Sequence, residues 1–366
     1  MSADDYLAAL LAQSLRLHSA SDLHSRITLL EEATRACHAE LQRRPTHCRE
    51  APPPQLAPAS SSCMLLQLSR DEMGVVEHEL CDPLRPLLAV NLSSTAKGMR
   101  VPMQAALAKL RQQFPEVEAF AANMDISIWQ LQNVTVLKLD SAHDRPLNLA
   151  DWTTLSTLVS CGSLSELVEL EIEGDGHHDQ RDVLECEGVS LFAAGLRRGG
   201  LPSLHLLDLS ATQIGDQAAS ALASALTKRA LPVIRSLHLD MNQIGDDGLL
   251  ALAPALRQLP TLEEFHMFAC YEIRDPGLAA LIAQPMEGVL ESLQILNFSE
   301  CNITDAGCAI FASALRSGAL PALTAVDLRE DHSDYSPAHA EINNILEARL
   351  GTKYSVSEAS YLTAYA

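Results

Sequence analysis

Two histidine groupings are the first places in this sequence where chemistry is conceivable. His177 and His178 stand among Asp175, Asp179 and Asp182 in the stretch Gly174 to Asp182. Imidazoles and carboxylates bind metals, but a site needs them framed at fixed spacing on a rigid element. Here they crowd a glycine-containing insertion, and a solvated loop is the reading adopted. His238 and His266 occupy equivalent positions in two consecutive copies of a repeated phrase. On adjacent strands they would lie within about 5 Å, close enough to hold a metal or to sense pH. Two surface histidines are the simpler expectation, so no metal ligand and no cofactor is assigned.

Nucleophiles are no more promising. Nine cysteines, at 37, 48, 63, 81, 161, 186, 270, 301 and 308, form no C-x-x-C pair and are odd in number. That usage fits a reducing compartment better than a disulfide framework. The chain lacks G-x-S-x-G, G-x-x-x-x-G-K-[ST] and H-E-x-x-H, three signatures whose spacing positions a nucleophile, a phosphate or a zinc ion. The expectation is a protein without catalytic residues.

The elements that carry these residues follow from repetition. One phrase reads Leu204-His-Leu-Leu207-Asp-Leu209, Ile234-Arg-Ser-Leu237-His-Leu239, Leu262-Glu-Glu-Phe265-His-Met267 and Leu293-Gln-Ile-Leu296-Asn-Phe298. Looser copies centre on Leu137, Leu170 and Val326. The central apolar residues recur on average about 31 residues apart. A second phrase follows: Ile214-Gly-Asp216-Gln-Ala218, Ile244-Gly-Asp246-Asp-Gly248, Ile273-Arg-Asp275-Pro-Gly277 and Ile303-Thr-Asp305-Ala-Gly307. Apolar residues then return every fourth position (Ala218, Leu222, Leu226), which is helical spacing. Each Asp is expected to cap its own helix. The small residue two positions on is expected to let the helix approach the strands. Pro254, mid-helix, predicts a kink or an early end. Ser336-Pro337 through Leu350 reads as a closing helix, with Ser as cap and Ile342, Ile345 and Leu346 as its buried stripe.

One strand and one helix per repeat, over residues 131–350, resembles the ribonuclease-inhibitor-like subclass of leucine-rich repeats. The resemblance implies an α/β solenoid of about seven repeats, a horseshoe with parallel strands inside and helices outside. It also implies that Cys270 and Cys301, like Asn242, satisfy backbone in the turn after each strand.

A solenoid buries one set of strand residues and displays the alternate set on its concave face. The displayed set includes Lys138, Glu169, Glu171, Asp208, His238, Asp240, Glu264, His266, Phe268, Asn297 and Asp327, which are taken as the partner-binding residues. Of 21 such positions eight are acidic and two, Lys138 and Arg329, are basic. That balance favours a basic protein or peptide.

Residues 1–44 read as a helical segment and 45–62, with Ala51-Pro-Pro-Pro54, as a Pro/Ser-rich linker. In 63–130, a capping box at Ser69-Arg-Asp-Glu72 and breaks at Pro83 and Pro102 predict three short helices. Leu68, Met73, Val76, Leu80, Pro83, Leu87 and Leu88 resemble a divergent F-box, though Ser69 stands where that motif carries Pro. The resemblance implies docking on the linker subunit of a cullin-RING ubiquitin ligase. The alternative is a helical cap over the first strand's edge. The tail, 351–366, carries no motif.

With 26 Lys and Arg against 47 Asp and Glu, the net charge is −21. Such a chain repels phosphate backbones and anionic lipid heads, so no nucleic-acid or membrane partner is expected. No apolar run reaches the ~20 residues of a spanning helix, and the start is acidic where a secretory signal is basic. The expectation is therefore a cytoplasmic, non-enzymatic protein–protein interaction module. Its most concrete form is a substrate-recognition adaptor of a ubiquitin ligase. A cytoskeletal or signalling scaffold and a regulator of a small GTPase are the alternatives.

Overall fold

The computed structural model describes residues 103–124, 126–139, 147–172, 174, 183–227, 230–283, 290–329 and 336–351. The F-box-like residues Leu68 to Leu88, the segments 1–44 and 45–62, the His177-His178 insertion and nearly all of the tail lie outside them. The chain divides into two compact units, Met1–Ala119 and Phe120–Ala366. In the first unit the described residues belong to helix α1, Met103–Asn123, whose last turn falls in the second. It runs for 21 residues through Pro115, so the third expected helix is not short. None of the described helices is long and apolar enough to cross a membrane.

The second unit alternates strand and helix. A short helix, α2 (Ile128–Gln132), is closed by a reciprocal capping box between Ser127 and Gln130. It leads into β1 (Val136–Leu139), α3 (Leu149–Ser160), β2 (Glu169–Ile172), α4 (Val183–Arg198), β3 (Leu206–Asp208) and α5 (Asp216–Ala225). Then follow β4 (Ser236–His238), α6 (Asp246–Leu256), β5 (Glu264–His266), α7 (Asp275–Leu281), β6 (Ile295–Asn297), α8 (Asp305–Arg316), β7 (Ala325–Asp327) and α9 (Pro337–Leu350). All seven strands are parallel and pair in sequence order. The register places Leu137, Leu170, Leu207, Leu237, Phe265, Leu296 and Val326 side by side in one row. That whole row is buried, as are Leu222, Leu252, Leu278 and Phe311 of the helices. Each fully buried side chain of this size contributes about 1.5–3 kcal/mol relative to exposure.

The turn after each central strand is cramped. Ala211, Met241, Ala269 and Glu300 all adopt positive φ, between 54° and 58°. Left-handed backbone is unfavourable for these residue types and persists only where neighbours over-determine it. Here each amide donates to the next repeat: Ala211 to the Asp240 carbonyl at 2.8 Å, Met241 to Phe268 at 2.7 Å, Ala269 to Ser299 at 2.9 Å. Asn242 fills the same turn, donating to the carbonyls of Leu209, Leu239 and Asp240 and accepting from the Ile214 amide. Where Cys replaces Asn, the thiols of Cys270 and Cys301 donate to the Leu239 and Met267 carbonyls at 3.3 and 3.1 Å.

Three expectations change. Asp216, Asp246, Asp275 and Asp305 are the first helical residues, not the N-caps, which are Gly215, Gly245, Arg274 and Thr304. The carboxylates of the first three serve the following repeat instead. Asp216 Oδ1 accepts the amides of Gly245 and Gly248 at 2.7 and 2.9 Å. Asp246 Oδ1 accepts those of Arg274 and Gly277, both at 2.9 Å. Asp275 accepts the Thr304 amide at 2.8 Å and its hydroxyl at 2.6 Å. The small residue therefore makes room for a carboxylate rather than for the strands: a Cβ on Gly277 would lie 2.6 Å from Asp246 Oδ1. Finally, α6 runs through Pro254 to Leu256 and, at 11 residues, is no shorter than α5 with its 10.

The closing helix α9 forms where expected, but Ile345 of its expected stripe is only half-buried. Ser336 caps it, Ile342 and Leu346 are buried, and Gly351 ends it at φ 69°. Arg349 near its end donates to the carbonyls of Leu315, Ala319 and Leu320, as Arg257 does to Ala280 and Leu281. Arg257 thereby meets carbonyls at the end of α7, and Arg349 meets one in the last turn of α8 and two in the turn beyond it.

Candidate functional site

The strand residues alternating with the buried row form a second row. It reads Lys138, Glu171, Asp208, His238, His266, Asn297 and Asp327 across the seven strands. At three of these positions the side chain turns back on its own strand. Asp208 accepts the Ser210 amide and hydroxyl, at 2.9 and 2.5 Å. Asn297 does the same for Ser299, at 3.0 and 2.6 Å. Asp327 accepts the Arg329 amide and both arms of its guanidinium. The bonds to the amide two residues on are Asx turns, and they finish the strand locally.

Histidine breaks the pattern at the two central positions. His238 and His266 are register partners, and their rings lie 4.4 Å apart at 41°. They are not surface histidines: His238 is 4% and His266 2% exposed. The burial has a local cause, since acidic side chains surround the pair on this part of the sheet. Asp208 Oδ2 is 3.5 Å from His238 Nδ1, and Glu264 Oε2 is 4.0 Å from its Nε2. The latter is an ion-pair distance, too long for a hydrogen bond. Glu264 Oε2 is held by the Ser236 hydroxyl at 3.0 Å. Asp240, buried, accepts the Phe268 amide at 2.5 Å. The Nε2 atoms of both histidines are buried without a hydrogen-bond partner.

The electrostatics separate the two imidazoles. Burial presses His238 toward neutrality, but pairing with Asp208 and Glu264 outweighs this and lifts it to about 9. Burial would raise Asp208, yet its bonds to His238 and Ser210 hold it below the usual carboxylate range. The His238 contact likewise holds Glu264 low. Burial, then the neighbouring His238 charge, push His266 down to about 4. Burial pushes Asp240 up to about 7 against the pull of His238. At neutral pH the cluster thus holds one imidazolium, one neutral imidazole and two ionised carboxylates beside Asp240.

Of the residues expected on the concave face, Asp208, His238, Asp240, Glu264, His266 and Phe268 come together here. Lys138, Glu169 and Glu171 lie at one end of the sheet, on β1 and β2, where Lys138 bridges Glu171 at 2.8 Å. Asn297 and Asp327 are on β6 and β7, and both are buried. Ser236 was a signal available in the sequence, an alternate strand position beside Glu264, but its hydroxyl is informative only once the pairing is known. The thiols of Cys270 and Cys308 are both pushed up to about 12, first by burial, so neither is a poised nucleophile.

Comparison with known proteins adds the following. A family profile described as Leucine Rich repeat matches residues 200–223, 230–253 and 289–312. No curated protein matches the chain. Among solved structures, "Leiomodin-1 Actin-Binding Site 2 (ABS2)" is similar at 19% identity and a TM-score of 0.32, over 54% of this chain and 88% of that one. The profile matches and the parallel strands alternating with helices mark leucine-rich repeats in an open α/β solenoid, an architecture that serves as a protein-interaction module.

Proposed function

We propose that the sheet face turned away from the helices is the binding surface, and that its partner is a protein segment rich in Lys and Arg. One observation carries this reading. The two bases among the alternate strand positions are neutralised within the chain, Lys138 by Glu171 and Arg329 by Asp327. The acids Glu169, Asp208 and Glu264 remain half-buried on the same face, with part of their surface open to solvent. An anionic sheet steers cationic segments toward it and repels anionic ones. The test is fluorescence anisotropy with a labelled Lys/Arg-rich peptide. Glu169→Lys combined with Glu171→Lys is expected to weaken binding at least tenfold, and rising salt to weaken it further. Equal binding by wild type and double variant would overturn the proposal.

The finer role proposed is that of a cytoplasmic substrate-recognition adaptor for a cullin-RING ubiquitin ligase, with ribonuclease-inhibitor-like repeats holding the substrate. What supports it is the F-box resemblance of Leu68 to Leu88, directly ahead of the repeats in sequence. Pull-down with the ligase linker subunit tests it, with loss expected for Leu80→Asp or Leu87→Asp. Stable partners without any ligase subunit would favour a scaffold instead, with the N-terminal helices as a cap.

A further inference from the structure

We propose that His238, His266 and Glu264 form a binding site for a divalent transition-metal ion, with zinc the best match. Each residue offers one ligand atom, and these atoms lie within 4.8 Å of one another. The site is built into the sheet. Both histidines occupy one register position of adjacent parallel strands, and Glu264 precedes His266 by two residues, on the same face of β5.

Three features point to a cation rather than to packing. First, the Nε2 atoms of both rings are buried without a hydrogen bond, that of His238 facing Glu264 Oε2 at 4.0 Å. Taking an imidazole nitrogen out of water without a hydrogen bond is unfavourable, and a ligand would relieve that. Second, the donor set is two imidazoles and a carboxylate. Calcium and magnesium prefer oxygen ligands alone, whereas zinc takes this mixture in three-ligand sites with one open position. Third, an outer partner is in place. Asp208 lies 3.5 Å from His238 Nδ1, the usual arrangement for a carboxylate that orients a metal-bound imidazole and directs its other nitrogen inward.

The geometry asks for a small adjustment. Tetrahedral zinc with bonds of about 2.0–2.1 Å separates its ligand atoms by about 3.3 Å. The present separations, up to 4.8 Å, would have to close to that by side-chain rotation, with the backbone held by the ladder. The fourth position would hold water or a donor atom from a bound protein.

The experiment uses the full chain stripped with a chelator. Cobalt is titrated in while its visible absorption is followed, and zinc is then added as competitor. Expected are one cobalt per chain with the intense visible bands of tetrahedral coordination, and displacement by zinc. His266→Gln and Glu264→Gln should each weaken uptake at least tenfold, while His177→Ala with His178→Ala leaves it unchanged. Glu264→Gln alters a half-buried carboxylate at the sheet surface, so it keeps the test decisive should His266→Gln not fold. Wild-type uptake by both ligand variants, loss on removing His177 and His178, or no uptake by the wild type would each overturn the site.

Discussion

Two rows of acids run along the same repeats and behave differently. On the turn row, Asp216, Asp246 and Asp275 each accept two hydrogen bonds from the next coil. Nothing there asks for a further partner. On the sheet row, Asp208 and Glu264 face histidines whose Nε2 atoms are left unmet. Like chemistry at like spacing does structural work where backbone amides complete it. It becomes available for binding where side chains leave it unfinished.

The largest expected effect lies on the turn row. Asp246→Ala removes a charged acceptor from the amides of Arg274 and Gly277 and should cost about 2–4 kcal/mol in urea unfolding, at 1.5–3 kcal/mol per charged hydrogen bond with partial rehydration. A loss under about 1 kcal/mol would mean that the row is ornamental. Gly277→Ala drives a methyl into the same carboxylate and should cost about 1–3 kcal/mol. Combining the two should be milder than their sum by about 1 kcal/mol, since the clash vanishes with its partner. Strict additivity in that double-mutant cycle would show that the methyl meets something else.

On the sheet row the order of effects should reverse. Glu264→Gln is expected to shift the unfolding free energy by less than about 1 kcal/mol, because its carboxylate is half-buried. The same substitution should lower affinity for the Lys/Arg-rich peptide severalfold. Strong destabilisation with unchanged binding would place this row with the other. The smallest effect concerns the turns themselves. Peptide mapping after brief exposure to a thiol reagent at pH 8 should leave Cys270 and Cys301 unmodified in the folded protein, because both are fully buried and burial raises their pKa. Modification at the rate seen in urea would show that these turns open readily.

The sequence announced the aliphatic row and its register because one phrase, repeated around Leu207, Leu237, Phe265 and Leu296, fixes both. It also announced that His238 and His266 would be neighbours. It did not announce that they would be buried. Exposure of an alternate strand position depends on the side chains of adjacent coils, here Asp208 and Glu264, which are distant in the chain. The turn-row aspartates misled for a related reason. Asp followed by a small residue looks the same whether its carboxylate serves its own helix or the next one. Gly277 betrays the second arrangement only once Asp246 is seen against it.

At Asp216, Asp246 and Asp275 the turn-row carboxylate reaches forward, toward the carboxyl-terminal neighbour. Turn amides reach the same way, those of Ala211, Met241 and Ala269 meeting carbonyls of the following coil. Dependence is therefore mutual: a coil deprived of its predecessor loses a carboxylate acceptor, and one deprived of its successor loses the carbonyl its turn amide meets. Synthesis satisfies the first need before the second: each coil leaving the ribosome finds its predecessor's carboxylate already built, while its own turn amide waits for the next coil.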